Sequence, residues 1–241
     1  MELKYKTILI TGGTSGIGRV LADRLLAEGN TVIILGRNKS KLEDALRKGF
    51  ETIHCDLSNV EEIENAVIQI QRNYERLDLL FNNAGIQYNY DFMDSVIPLD
   101  KIKQEIQTNV TGQLLITQLL VPLLNNASKA LIVNTTSGLG AFPKSDGLVY
   151  SSSKAALRNF TIGLRFALKS TKIKVLEFIP PVTDTEMTKG RTELKMSAKE
   201  LIDYIWPQLL RERKILTVPK MRLFLWIAFL FPSIAHKILS K

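Results

Sequence analysis

The sequence predicts an α/β protein: a doubly wound parallel sheet of about seven strands with helices on both faces. Three observations carry the prediction. Short β-rich runs recur along the chain and are apolar throughout, where a half-exposed strand would alternate. Helical patterns separate them, and alternating strands and helices in one sheet imply right-handed crossovers. A glycine-rich turn follows the first run directly. Strands that are apolar on both faces need helices covering both sides, as in a parallel sheet. The 241 residues suffice for one such domain with a full core. With no repeat, low-complexity tract or linker, residues 1–241 read as a single domain.

The elements follow in order. Residues 7–11 (Thr-Ile-Leu-Ile-Thr) form the first strand, and a helix over 17–28 is closed by Gly29. Strands at 31–35 and 51–55 flank a helix at 39–48. Residues 60–74 have amphipathic spacing, with Asp56 or Ser58 available as the cap. A fourth strand covers 77–81, a long helix 99–124, a fifth strand 130–134, a helix 149–170 and a sixth strand 173–179. A seventh strand is expected at 215–218.

The turn Gly12-Gly13-Thr14-Ser15-Gly16-Ile17-Gly18 lies between the first strand and the first helix. Glycines there permit a tight turn and let backbone N–H groups approach a pyrophosphate, and the helix N-terminus adds partial positive charge. A plain structural turn is the competing reading, and the position after strand one favours nucleotide binding. Gly18 allows helix and sheet to pack closely. Strand two ends Leu35-Gly36-Arg37-Asn38. An acid at that strand end grips the adenosine ribose hydroxyls in NAD sites. Gly36 would not repel a 2′-phosphate, and Arg37 can pair with one bidentately. NADP(H) is therefore favoured, with NAD(H) the alternative. Asp56, after the third strand, is placed to accept a hydrogen bond from an adenine amino group.

Tyr150 and Lys154 stand at i, i+4 within a helical stretch, one turn apart on one face. An ammonium held beside a phenol favours the phenolate and lowers the ordinary tyrosine pKa of about 10. The pair is a candidate general acid/base, although Tyr and Lys at this spacing also occur on solvated helix faces.

Together these residues resemble the short-chain dehydrogenase/reductase family in its compact form, over nearly the whole chain. The motifs stand in the family's order: Gly12, Gly16 and Gly18; Asn82-Asn83-Ala84-Gly85 after strand four; Asn109; Ser137, 13 residues before Tyr150; then Tyr150 and Lys154. After strand six the family's Pro-Gly is replaced by Pro180-Pro181, which stiffens the loop and leaves Thr185 in place. The run from Pro180 to Arg191 is also similar to bacterial homologues of unassigned substrate, some named after the D-alanylation genes of teichoic acid.

The resemblance implies a single-domain Rossmann fold and hydride transfer between nicotinamide and a carbonyl or alcohol carbon. It assigns Tyr150 as proton donor or acceptor, Lys154 as its partner and the binder of the nicotinamide ribose, and Ser137 as hydrogen-bond donor to the carbonyl oxygen. Asn109 would support a water linking Lys154 to solvent. The implied cofactor contacts are Gly12, Thr14, Ser15, Gly16, Ile17, Gly18, Arg37, Asp56, Leu57, Asn83, Ala84, Gly85, Tyr150, Lys154, Pro180, Val182 and Thr185. No metal is required. A non-catalytic nucleotide sensor on the same fold is the alternative function. A sugar-nucleotide epimerase would need a larger C-terminal domain. The family commonly dimerises through the helices holding Asn109 and Tyr150, so a homodimer or homotetramer is expected.

Composition narrows the rest. One cysteine, Cys55, excludes an internal disulfide and a cysteine cluster, and two distant histidines, His54 and His236, argue against a metal site or a Ser-His-Asp hydrolase. The N-terminus lacks a signal-peptide core, so a cytoplasmic location is expected. Residues 189–241 hold 11 Lys/Arg and 4 Asp/Glu, a net charge of +7, against +1 for the first 188 residues. This local excess argues against a general nucleic-acid binder. Substrate preference is expected from a mobile loop over 183–215 and from 87–96. The apolar run 223–231 is nine residues, short of the roughly 20 that span a bilayer, with Lys220, Arg222, Lys237 and Lys241 around it. Packing on a partner subunit or over the chain's own pocket is the first reading, and peripheral contact with an anionic membrane the second.

Overall fold

The computed structural model describes residues 1–93 and 96–239. Positions 94 and 95 of the expected 87–96 stretch, and 240 and 241 of the basic C-terminal segment (Lys241 among them), lie outside the described residues. The main sheet contains β1 (Thr7–Thr11), β2 (Thr31–Gly36), β3 (Glu51–His54), β4 (Leu79–Asn82), β5 (Ala130–Thr135), β6 (Ile173–Phe178) and β9 (Ile215–Leu216). Their order is β3-β2-β1-β4-β5-β6-β9, and each recorded pairing is parallel. A small separate ribbon pairs β7 (Thr183–Asp184) with β8 (Met196–Ser197). The helices are α1 (Gly16–Ala27), α2 (Lys39–Arg47), α3 (Val60–Asn73), α4 (Leu99–Ile106), α5 (Gly112–Asn125), α6 (Leu148–Ala167), α7 (Ala198–Leu210), α8 (Pro219–Leu230) and α9 (Pro232–Leu239).

The apolar strands are explained by two cores. Ile8 and Ile10 of β1 face α1, α2 and α7 with Ile34, Phe81, Val133 and Phe178. Leu9 points the other way, with Ile33, Leu80 and Ile132, onto α3 and α5. Successive residues of a strand face opposite sides, so a sheet covered twice needs apolar side chains at every position. Strand order reverses between β1 and β4, which opens a crevice at the carboxyl ends of these strands.

The structure departs from the sequence expectations in three places. The helix expected over 99–124 is interrupted at Gln107–Thr111 by a π-helical turn, which inserts an extra residue and re-aims Asn109. The α3 cap is Asn59, whose Oδ1 accepts from the N–H groups of Glu61 and Glu62. Asp56 and Ser58 bond each other one step earlier, at 2.8 Å between Oδ1 and Oγ. The stretch 183–215, expected as a mobile loop, contains β7, β8 and all of α7. Ser197 and Glu200 cap α7 reciprocally, and Leu201, Ile202, Ile205 and Leu209 are buried. At about 1.5–3 kcal/mol for each buried aliphatic side chain, four of them fix α7 against α1, and Arg24 adds a guanidinium 4.3 Å over the Trp206 ring.

Candidate active site

The loop between β1 and α1 has the backbone that its glycines predict. Gly12 and Gly16 have φ of 67° and 54°, left-handed values that side chains disfavour. A Cβ on Gly18 would lie 2.5 Å from the Gly12 carbonyl oxygen and 2.5 Å from Asn83 Nδ2. Helix and loop are therefore in backbone contact. Ser15 occupies the N-cap of α1 with no side-chain bond to the helix, and the first turn carries no acid. The first N–H groups of α1 are left to meet an anion.

The end of β4 ties this loop down. The N–H groups of Asn83 and Ala84 donate to Thr11 Oγ1 at 3.0 Å each, and Asn83 Nδ2 donates to the carbonyls of Thr11 and Gly12. Next along the chain, Asn109 is wholly buried on the π-helical turn. Its Oδ1 accepts from the Ile86 N–H at 2.9 Å, and its Nδ2 donates to the Ile86 carbonyl at 2.8 Å and to Ser153 Oγ at 3.1 Å. Both amide hydrogens are thus spent on the protein. The side chain fixes the Gly85–Ile86 backbone.

Tyr150 and Lys154 lie on α6, both buried. Lys154 Nζ donates to the Thr135 carbonyl at 2.9 Å and lies 5.7 Å from the Tyr150 ring centroid. A Cβ on Gly85 would come within 3.4 Å of this nitrogen. Burial lowers the Lys154 pKa from 10.5 to about 8, against the pull of the Glu105 carboxylate. Burial likewise pushes Tyr150 up to about 12, opposed by a hydrogen bond with the Ser137 side chain and by the charge of Arg191. The expected lowering of the tyrosine pKa by Lys154 is not found: the groups that oppose burial are Ser137 and Arg191, desolvation prevails, and the phenol keeps its proton. Ser137 also accepts from the Leu139 N–H, at the start of the turn Gly138–Gly140.

On the opposite side of the crevice, Arg37 Nη1 is 3.9 Å from Asp56 Oδ2. The guanidinium is half exposed, so this contact leaves it able to meet another anion. Lys41 reaches across to Glu186 at 2.9 Å. Gly36 is held close: a Cβ there would meet Thr14 Cγ2 at 3.1 Å.

The crevice has a volume of about 410 Å³. Of the residues named as cofactor contacts, Gly12, Thr14, Ser15, Gly16, Ile17, Arg37, Asp56, Leu57, Asn83, Ala84, Gly85, Tyr150, Lys154, Pro180 and Thr185 line it. Four expected residues do not. Gly18 packs beneath the loop, Asn109 lies behind Ile86, Ser137 sits beyond Tyr150, and the Val182 carbonyl is spent on the Met196 N–H. Sequence reasoning missed Asn38, Lys41, Thr108, Thr135, Thr136, Glu186 and Met187 on the wall. It also missed Glu105 and Arg191, the charges that act on Lys154 and Tyr150. Lys41 could have been found as a second cation four residues after Arg37. Nothing local marks Glu105 or Arg191. Cys55 is a packed thiol, its pKa raised to about 12 by burial and then by Glu62 and Asp56.

The crevice fits a dinucleotide. It joins a free helix N-terminus to a buried Tyr–Lys pair, and two wall residues, Thr108 and Thr135, carry buried hydroxyls with no partner of their own. A crevice at a reversal of strand order is where doubly wound folds bind such ligands. The chain belongs to the short chain dehydrogenase family, whose model matches residues 6–195. It is thus an oxidoreductase of Rossmann fold.

Individual relatives agree. The chain is 36% identical over 212 residues to the uncharacterized oxidoreductase DltE of Bacillus subtilis (strain 168), covering 85% of this chain and 84% of that one. This accords with the similarity expected from Pro180 to Arg191. It is 35% identical over 189 residues to a serine 3-dehydrogenase of Rhizobium radiobacter, covering 77% and 75%. The fold matches that of a short chain dehydrogenase from Burkholderia cenocepacia J2315, solved with NADP, at a TM-score of 0.88 and 23% identity over 100% of both chains.

Proposed function

We propose that this protein is an NADP(H)-dependent oxidoreductase acting on a carbonyl or alcohol, with Tyr150 as general acid/base. The observation that carries the reading is the buried Tyr150 phenol, hydrogen-bonded by Ser137, with Lys154 one helical turn away on the same crevice wall. The NADP held by the Burkholderia cenocepacia protein supports a nicotinamide dinucleotide as cofactor. When bound, that cofactor supplies or accepts the hydride.

The chain's own residues handle the proton and the geometry. The Ser137 hydroxyl donates to the substrate oxygen and holds it beside Tyr150. Tyr150, protonated at neutral pH, delivers its proton to that oxygen during reduction, and its phenolate form takes the proton from the alcohol during oxidation. Lys154 is anchored on the Thr135 carbonyl and has two further N–H groups for ribose hydroxyls. Asn109 is a positioning residue that acts through the Gly85–Ile86 backbone. Arg37, with Lys41 beside it, favours NADP(H) over NAD(H) through a 2′-phosphate.

Residues 1–241 are read as one domain, with the substrate between 183–197 and 87–96. Arg191 donates to Gln87 Oε1 at 2.7 Å and acts electrostatically on Tyr150. A cation there suits a hydroxy or oxo acid, the class suggested by the name of the Rhizobium relative. Assembly as a homodimer or homotetramer is supported by Ile162 and Phe166, large apolar side chains exposed on α6. The test is titration of the protein with NADPH and with NADH, followed by a screen of hydroxy acids. Tight NADPH binding weakened about 10-fold or more in Arg37→Ala, the loss of one charge-assisted bond, supports the reading. Equal affinity for NADH removes the Arg37 argument. Cofactor binding without turnover of any carbonyl or alcohol favours the sensor.

A further inference from the structure

α8 and its continuation into α9 present apolar side chains where an aqueous surface should be polar. From Leu223 to Phe231 the sequence has no polar residue, and none of the twelve residues of α8 is buried. A helix that is apolar all round normally lies in a core or in lipid. The inward side is accounted for: Met221, Phe224, Leu225 and Ala228 are half-buried. Met221 Sδ would lie 2.8 Å from a Cβ on Gly138, next to Ser137. The outward side is not accounted for. Leu223, Trp226, Phe229 and Leu230 are 62%, 60%, 79% and 53% exposed, and Phe231 and Ile234 extend the patch. Six large apolar side chains in one stretch differ from the single exposures found on any surface.

Charge indicates what covers this face. No acidic residue follows Glu212 in the sequence, while Arg213, Lys214, Lys220 and Arg222 do, all exposed. Neither Lys220 nor Arg222 has an ion-pair partner among the described residues. A second copy docked symmetrically on this face would bring the same basic rim against itself. An anionic surface is complementary to it. No described helix is long and apolar enough to cross a membrane. An apolar helix edged with Lys and Arg and carrying exposed Trp and Phe fits the boundary between headgroups and acyl chains. We propose that the α8–α9 segment docks this protein on an anionic lipid surface, with Leu223, Trp226, Phe229 and Leu230 in the boundary layer and Lys220 and Arg222 among the headgroups. The substrate side at Ser137 then lies beside the lipid.

The experiment sediments the full-length protein with vesicles of phosphatidylcholine alone and mixed with phosphatidylglycerol, at low and high salt. Binding to the mixed vesicles at low salt is expected, together with a blue shift of fluorescence from Trp226, the exposed one of the two tryptophans. The triple variant Leu223→Gln, Trp226→Gln, Phe229→Gln should lose at least about tenfold in bound fraction, the least that removing three apolar anchors predicts. Lys220→Glu with Arg222→Glu should lose binding to the mixed vesicles specifically. Both variants should keep the wild-type melting temperature and NADPH titration. Those controls separate loss of docking from loss of fold, and failure here from failure of the oxidoreductase reading. Absence of sedimentation, or equal binding to neutral vesicles, overturns the proposal. So does an oligomer in solution that the triple variant dissociates, which would assign the face to a second copy.

Discussion

α1 and α8 are both twelve residues long, and the more apolar of the two is the one left exposed. α1 buries Gly18, Leu21, Ala22 and Leu25 and turns Arg19, Asp23 and Arg24 outward, where Arg19 pairs with Asp23 and Arg24 with Asp203. α8 has Leu, Phe, Trp or Ile at seven of its twelve positions and buries none. The difference lies in what each helix meets. α1 sits between the sheet and α7, so a narrow apolar stripe is enough. α8 touches little more than the turn at Gly138–Gly140, and its remaining apolar surface faces outward. Hydrophobicity in a sequence shows that a surface will be covered, while packing decides by what. The nucleotide side of this protein is built by backbone contact and tolerates little change. The C-terminal side has exposed apolar residues whose replacement is expected to cost the fold little.

The comparison can be sharpened by four measurements. The largest effect belongs to the chemistry. Tyr150→Phe removes the proposed proton donor without changing the packing of the ring, so turnover should fall about 10²–10⁴-fold while NADPH affinity stays constant. Steady-state kinetics and titration on the same preparation decide it. Equal losses in both would make Tyr150 a binding residue only.

Next is the pH dependence that the burial of Lys154 imposes. Its pKa falls from 10.5 unfolded to about 8 folded. Between these values the unfolded chain binds more protons, so stability rises as pH increases and the full cost of burial is felt below pH 8. The Lys154 contribution over that window is on the order of 3 kcal/mol. Tyr150, raised to about 12, and Cys55, raised to about 12, act in the opposite sense at higher pH. Subtracting the melting profile of Lys154→Met from that of the wild type isolates the lysine. The wild type should be the less stable at pH 7, with the difference shrinking above pH 8. A pH-independent difference would contradict the burial argument.

Gly18→Val tests the backbone contact itself. Its Cβ would clash with a main-chain oxygen that cannot move aside, at a cost of about 1–3 kcal/mol. Trp226→Gln on α8 should leave the melting temperature unchanged. If the two changes destabilise equally, the contrast between the regions fails. The smallest effect is Asn59→Ala, which removes the α3 cap and should cost about 1 kcal/mol. The same change at Ser58, which bonds only Asp56, should cost less in chemical denaturation.

Much of the fold was legible because its signals are local. Most of the main strands are short apolar runs, the edge strand β3 with its single buried Ile53 being the exception, and the seventh, at 215–218, was visible from Ile215 and Leu216. The glycine loop was legible because left-handed backbone and close approach both require glycine. Tyr150 and Lys154 were legible because helical spacing alone puts them on one face. α7 was missed, although Ser197 and Glu200 form a capping signal, because the whole stretch 183–215 reads as a substrate loop. The helix is held by Leu201, Ile202, Ile205 and Leu209 in the core, while Pro207 is exposed. The π-helical turn at Gln107–Thr111 has no sequence signal, and the bond its Asn109 makes to Ile86 joins residues 23 positions apart.

The sequence by itself determined the parallel sheet, its strand count, the phosphate-type loop and the identity of the Tyr–Lys pair, because each depends on residues adjacent in the chain or one helical turn apart. Only the tertiary structure decided the charge states at that pair. Burial by α6 and β5, with Glu105 and Arg191 brought in from distant segments, sets how Tyr150 and Lys154 hold their protons. It also decided that the apolar stretch after Pro219 faces outward. Desolvation depends on everything packed around a group, and no stretch of sequence contains its own surroundings.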